Sequence, residues 1–225
     1  MSLNSKLTVL GKIYKIYDGF SAGLNIACKK RCCLCCTGNV TMTTLEGFKV
    51  VEGILAKENN SLFGRIKESG KTVFRPRITI NEMAQICSEE RDLPEEEMIQ
   101  GCECPLLIDK ECSVYEYRPF GCRCFISSVN CAESGSAVVD DFVITVNNIF
   151  MQVIEHADSG RFSGNLSDVL QFLESAENRE KLSSGKILNP PPDLIKNHPL
   201  KILMIPPEHR EKAEPILDAL RKLTY

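Results

Sequence analysis

Twelve cysteines gathered into two knots constrain this chain more than any other feature. Five fall within residues 28–36 (Cys28, Cys32, Cys33, Cys35 and Cys36), and six more lie between Cys102 and Cys131. Cys87 stands alone, and the last 94 residues hold none. A disulfide framework spreads its staples along a small secreted chain. Gathered thiols suit a metal centre instead, because thiolates are soft anionic ligands and sets of four satisfy either tetrahedral zinc or the irons of a cluster. Cys32-x2-Cys35 and Cys33-x2-Cys36 let two sulfurs reach one ion from a tight turn. His156, His198 and His209 all lie beyond the knots. The expected site is therefore all-sulfur, which favours structural zinc or iron–sulfur over a hydrolytic zinc with an open position.

Composition sets the frame. The chain has 225 residues, a formal net charge of −3, 43% hydrophobic and 25% charged residues, and no tryptophan. That is globular composition at a length that builds a core without staples. No apolar run approaches the roughly 18–20 residues of a membrane span. Lys6, Lys12 and Lys15 interrupt the opening residues, so no secretory signal is expected and the reading is cytoplasmic. The longest basic run, Lys29-Lys30-Arg31, sits between cysteines, and no basic stripe interleaved with aromatics exists, which speaks against nucleic acid. Lys29, Lys30, Arg31, Arg118 and Arg123 are placed to offset thiolate charge.

Periodicity predicts a mainly helical α+β fold: one domain over 1–225 with a loop-rich metal-binding core from 28–36 and 102–131, a short β-hairpin, and a cysteine-free part over 132–225. Leu7, Leu10, Ile13, Tyr14 and Tyr17 fall on one face of a first helix. Thr43-Thr44-Leu45-Glu46 is a capping-box signal for a helix to about Glu58, with Leu45, Phe48, Val51, Ile54 and Leu55 turned inward. Thr79-Ile80-Asn81-Glu82 repeats the signal for a helix near 81–91, and Cys87 on it reads as a buried apolar filler. Leu106-Leu107-Ile108, Asp109-Lys110-Glu111 and Cys112-Ser113-Val114-Tyr115 read as strand, turn, strand. Helices are expected from Val138 to about His156, from Asn165 to about Glu180, and from Pro206-Pro207 to about Leu223. Pro190-Pro191-Pro192 reads as a stiff linker, and Leu200 to Ile205 as a strand.

The second knot carries the most specific pattern. Cys104-Pro105-Leu106-Leu107 is followed by Cys112-Ser113-Val114-Tyr115, then Arg118-Pro119, then Cys122-Arg123, with Cys131 downstream. This run resembles the YkgJ-type cysteine-cluster family, whose zinc- or iron-chelating domain carries C-P-[FL]-L … C-[ST]-[IV]-Y-x-x-R-P-x-x-C-R. That family opens with C-x2-C-x2-C-C, where this chain has Cys28-x3-Cys32-x2-Cys35-Cys36, one residue longer in the first gap and with an extra Cys33. The resemblance covers residues 28–131. It implies the metal set Cys28, Cys32, Cys35, Cys36, Cys104, Cys112, Cys122 and Cys131. Eight such thiols suit two four-sulfur sites, or one cluster with a second metal or spare thiols, and Cys33, Cys102 and Cys124 are available as substitutes. Tyr115 and Arg118 carry two readings, a packed hairpin tyrosine with a turn-capping arginine, or a thiolate-stabilising pair; the first is preferred.

Four rival functions bear on the same residues. Cys28-x3-Cys32-x2-Cys35 has the spacing of radical S-adenosylmethionine enzymes, with Leu34 where an aromatic is common. Those enzymes follow the motif with a βα-repeat barrel, and no Gly-Gly-Glu segment occurs here. Thioredoxin-like redox use needs a strand–CxxC–helix setting, and residues 37–42 read as loop or strand. Electron transfer through a cluster stays open. Flagellin lysine methylases contain a similar cysteine run, without a Gly-rich cofactor loop in this chain. Finally, zinc at a four-cysteine site contributes ~10–16 kcal/mol against a net domain stability of ~5–15 kcal/mol, so a purely structural centre also accounts for the cysteines. Catalytic residues, and whether the protein is an enzyme, do not emerge from the sequence.

Overall fold

The computed structural model describes residues 1–29, 31–58, 61–97, 99, 101–186 and 189–223. Lys30, one of the predicted charge-balancing cations, lies outside them. The fold is the expected mainly helical α+β arrangement. Helices α1 (Leu3–Ser21), α2 (Thr44–Ala56), α3 (Ser61–Ser69), α4 (Ile80–Ser88), α5 (Phe120–Arg123), α6 (Cys131–Ser134), α7 (Asp141–Ala157), α8 (Leu166–Glu174), α9 (Ala176–Ser183) and α10 (Arg210–Arg221) surround two small sheets. Strands β1 (Thr41–Thr43), β4 (Phe162–Asn165) and β5 (Leu194–Lys196) form an antiparallel sheet in the order β1-β4-β5, while β2 (Leu107–Ile108) and β3 (Glu111–Cys112) form the expected hairpin.

Two apolar cores flank the cysteine region. One joins α2, α3 and α8 to the hairpin through Val50, Ile54, Leu62, Ile66, Leu106 and Val169. The other joins α1, α7 and α10 through Leu10, Ile13, Tyr17, Ile149, Phe150 and Leu217. Phe120 plugs the second core, its ring centroid 4.7 Å from Tyr17 and 5.7 Å from Phe150. Two residues further on, Cys122 packs instead against the first core. The short helix α5 thus bridges the two cores.

The α2 start is the predicted capping box: the Thr43 side chain accepts from the Glu46 amide, and the Glu46 carboxylate accepts from the Thr43 amide. Close packing of α2 on α8 depends on Gly47, where a Cβ would stand 2.7 Å from both Leu173 and Val169. Five expectations are corrected. Leu55 is 43% exposed, because α2 turns Val50 inward instead. Cys87 is exposed, since α4 buries Ala84 and Ile86 rather than that face. The helix expected from Val138 starts at Asp141, capped by Asp140, because the Val138 amide and carbonyl are engaged with the Ser127 side chain and the Ser128 amide. The helix expected through Glu180 breaks at Ser175, whose extended backbone and side chain cap α9. Leu200 to Ile205 forms no strand. Side chains of α7 take the place of a ladder there: Gln152 bonds the Ile202 carbonyl and the Met204 amide, and His156 accepts from the Leu200 amide.

Candidate metal centre

The first knot occupies the link between α1 and β1, where turns replace regular structure. The Cys32 amide bonds the Lys29 carbonyl at 2.9 Å, and the Cys36 amide bonds the Cys33 carbonyl at 3.0 Å. Arg31 sits in the left-handed region at φ 69°. Two backbone stitches then dock this link onto distant chain. At one end, the Ala27 amide reaches the Ser127 carbonyl at 2.9 Å. At the other, Thr37 pairs antiparallel with Glu103, the Cys104 amide bonds the Cys36 carbonyl at 3.0 Å, and the Gly38 amide bonds the Cys102 carbonyl at 2.7 Å. Gly38 is needed for that approach, because a Cβ there would lie 2.8 Å from the Cys102 sulfur.

The second knot is held just as locally. The Leu107 amide bonds the Cys104 carbonyl, and Ser113 donates to the Leu106 carbonyl through both its amide and hydroxyl. Arg65 caps the Leu107 carbonyl at 2.9 Å, and Lys57 caps that of Ser113 at 2.7 Å. Arg123 folds back over the turn before α5, donating to the carbonyls of Arg118 and Glu116, with its guanidinium 4.4 Å from the Tyr14 ring centroid.

Between the knots lies a cavity of about 270 Å³. Cys28, Cys32, Cys35 and Cys36 line it from the first knot, and Cys104, Cys112 and Cys122 from the second. Seven of the eight predicted thiols therefore face one space, and no histidine does. The eighth, Cys131, opens α6 outside the lining and is within electrostatic reach of Cys28. The three substitutes stay off the cavity wall. Cys33 packs on the first core, Cys102 is exposed with its sulfur 3.3 Å from the Ser69 hydroxyl, and Cys124 packs on the second core and donates to the Gly121 carbonyl.

Burial dominates the electrostatics of these thiols, because an apolar setting disfavours the thiolate. It pushes Cys104 up to about 11 and Cys122 well above the usual thiol range, and it also raises Cys28 and Cys112. Cys35 moves the other way: the Cys36 thiol donates to it and pulls it down to about 6. Backbone amides oppose the burial. The Leu106 amide faces Cys104, the Val114 amide faces Cys112, and the Ser127 amide faces Cys28. In the first two, the donor sits two residues past the sulfur, an arrangement that stabilises a thiolate once a cation is present.

Positive charge also converges here. Lys29, Arg118 and Arg123 line the cavity, while Arg31 leans out to Glu111 at 3.5 Å. Arg118 stacks on Tyr115 at 3.7 Å, and its Nε and Nη1 are buried without a hydrogen-bond partner. The turn-capping role preferred for Arg118 is thus not the one observed. Buried guanidinium nitrogens lacking acceptors cost free energy unless negative charge sits beside them, and Cys112 and Cys122 are the thiols within electrostatic reach of Arg118. This donor set fits a thiolate-bound metal. Among the described residues, no group of three or more His, Cys, Asp or Glu side chains is arranged to hold a metal ion as it stands, so loading requires the cavity walls to draw in.

Glu46 is the supporting residue that sequence reasoning missed. The capping box pointed to its role at α2, but not to its reach across the fold to the Phe120 amide at 2.7 Å and the Tyr14 hydroxyl at 2.9 Å. No protein-family model, curated protein or solved structure matches the chain. Among the described residues, no helix is long and apolar enough to cross a membrane.

Proposed function

We propose that this chain is a metal-binding cysteine-cluster protein of the YkgJ type, holding an iron–sulfur cluster or zinc through the thiols of both knots. The observation that carries the reading is the single cavity lined by seven cysteines from three separated stretches of chain. Such convergence without histidine suits soft-metal ligation. A cavity of about 270 Å³ is generous for one tetrahedral ion, whose sulfurs close in to ~2.3 Å, and this tilts the reading toward iron–sulfur. When bound, a cluster supplies one-electron chemistry and zinc supplies a fold-holding centre. The chain's own part is to hold sulfurs on rigid turns, aim the Leu106 and Val114 amides at two of them, and neutralise their charge with Arg118. Free thiols in this number fit a reducing compartment, the cytoplasm.

The radical-enzyme alternative draws on Cys28, Cys32 and Cys35, which line the cavity beside four further thiols rather than alone. The antiparallel β1-β4-β5 sheet also differs from the βα barrel that those enzymes share.

The test compares Cys122→Ser with Cys87→Ser, both purified without oxygen. Cys122→Ser is expected to lose bound metal and Cys87→Ser to keep it. Native metal content in Cys122→Ser would reject the ligand assignment.

A further inference from the structure

We infer that the cavity also binds a small organic carboxylate, its anionic end on Arg118 and its apolar body at the mouth beside Phe125. The inference goes beyond the metal-binding reading and does not rest on it. Arg118 supplies the first observation. Its side chain lines the cavity, and its Nε and Nη1 are buried without a hydrogen-bond partner. Buried donors left unpaired are costly, and arginine cannot shed its proton to escape that cost. Neither the Cys112 nor the Cys122 sulfur accepts from these two nitrogens, so the thiols that share the cavity leave the donors unused.

The neighbouring guanidinium is already committed. Arg123 donates to the carbonyls of Arg118 and Glu116 and pairs with Asp18 at 3.7 Å. Lys29 adds positive charge to the same wall, and Asp18 is the one carboxylate against these three cations among the described lining residues. An acceptor that enters the cavity therefore meets unpaired Arg118 donors in a positive setting, which selects an anion.

The mouth sets the rest of the ligand. Arg118 stacks on Tyr115, its guanidinium carbon 3.7 Å from the ring centroid. Tyr115 is 37% exposed and Phe125 58% exposed, yet both line the cavity, so they stand where it opens to the surface. Ile26 and Ile126, both half-buried, line it too. Aromatic and aliphatic side chains in that position gain burial from a ligand with an apolar body. A cavity of about 270 Å³ falls just under the usual ligand range of ~300–1,000 Å³, which limits the occupant to a small molecule. One unpaired guanidinium matches the planar, singly charged end of a carboxylate. Inorganic phosphate, with more charge and no apolar body, fits this wall less well.

Calorimetric titration of the full chain with benzoate, on protein purified without oxygen, tests this. Saturable binding at one equivalent is expected. Benzamide, of the same shape without the charge, should bind at least about tenfold more weakly, and so should benzoate to Arg118→Gln. Phe125→Ala, at an exposed position, should keep the wild-type melting temperature and bind benzoate several-fold more weakly. If Arg118→Gln does not fold, benzamide and Phe125→Ala decide. No saturable benzoate binding, equal affinity for benzamide, unchanged affinity in either folded variant, or tighter binding of inorganic phosphate would overturn the inference. Metal content of the same samples keeps the two readings apart. Metal-loaded protein that ignores benzoate overturns this inference alone, and metal-free protein that binds it overturns only the metal-binding reading.

Discussion

The Glu46 carboxylate accepts the Phe120 backbone amide at 2.7 Å, 74 residues away in sequence. Its other oxygen takes the Thr43 amide at 2.9 Å and hydroxyl at 3.0 Å. One buried carboxylate therefore closes the N-termini of both α2 and α5, and α5 carries Cys122. Negative charge suits both positions, since unpaired amides gather at helix N-termini. Glu46→Gln replaces one acceptor oxygen with a donor facing an amide. The variant is expected to lose about 2–3 kcal/mol in urea denaturation and to hold metal more weakly. Ser175→Ala, which uncaps exposed α9, should cost about 1 kcal/mol and leave metal content alone. Equal metal loss in both variants would show that the effect is general instability.

Gly53 and Gly19 separate helix propensity from packing. A Cβ at Gly53 would lie 2.4 Å from the Tyr117 ring, whereas at Gly19 on α1 it meets nothing within 4 Å. Gly19→Ala is expected to stabilise by roughly 0.5–1 kcal/mol. Gly53→Ala should instead destabilise by about 1–2 kcal/mol, overpacking outweighing propensity. Thermal melts of the two variants moving in the same direction would contradict this packing.

The hairpin that presents Cys112 turns through Asp109 and Lys110, at φ 49° and 63°. Two left-handed residues in a two-residue loop make a turn that prefers Asn-Gly, and lysine gains nothing there. Replacing both residues, Asp109→Asn with Lys110→Gly, should raise stability by about 1 kcal/mol. A lower urea midpoint would mean that the Lys110 side chain contributes something the turn geometry does not reveal.

These elements also mark how far the sequence was legible. The Thr43–Glu46 box and the helical face of Leu10, Ile13 and Tyr17 are local signals, and each element appears where expected, while the hairpin turn is one residue shorter than the expected Asp109-Lys110-Glu111 because Glu111 pairs with Ile108. Strands β4 and β5 were invisible because Phe162-Ser163-Gly164-Asn165 has one large apolar residue and is defined by partners 30 and more residues away. The apolar run Leu200 to Ile205 looked like a strand because its composition does not reveal that α7 side chains bond its backbone. At the centre, seven of the eight thiols that the family resemblance implied face the cavity, and Cys131 does not. The sequence did not show that Arg118 has two nitrogens without partners or that Glu46 braces α5, because both depend on contacts across the fold.

Asp158 makes stability depend on pH. It is fully buried, receives Thr44 and Leu45 at 2.7 and 3.0 Å and pairs with Arg161 at 3.4 Å, and burial pushes it up to about 6. The folded state thus binds this proton more tightly than the unfolded chain, where aspartate titrates near ~3.9. Its favourable share of stability is complete below about pH 4 and fades as pH rises through about 6, by about 3 kcal/mol. Burial raises Glu155 in the same direction. Asp158→Asn should be less stable at pH 4 and show a flatter profile between pH 4 and 6. Profiles of equal slope for variant and wild type would place this carboxylate's titration outside that window.

The central claim is that the cysteine-lined cavity holds metal, and iron, zinc and acid-labile sulfide content of protein purified without oxygen tests it most directly. The account predicts stoichiometric metal, with iron and sulfide in near-equal amounts and a visible band that reductant bleaches, or zinc without sulfide or colour. Protein that carries neither metal nor sulfide, with its cysteines paired as disulfides, would contradict it.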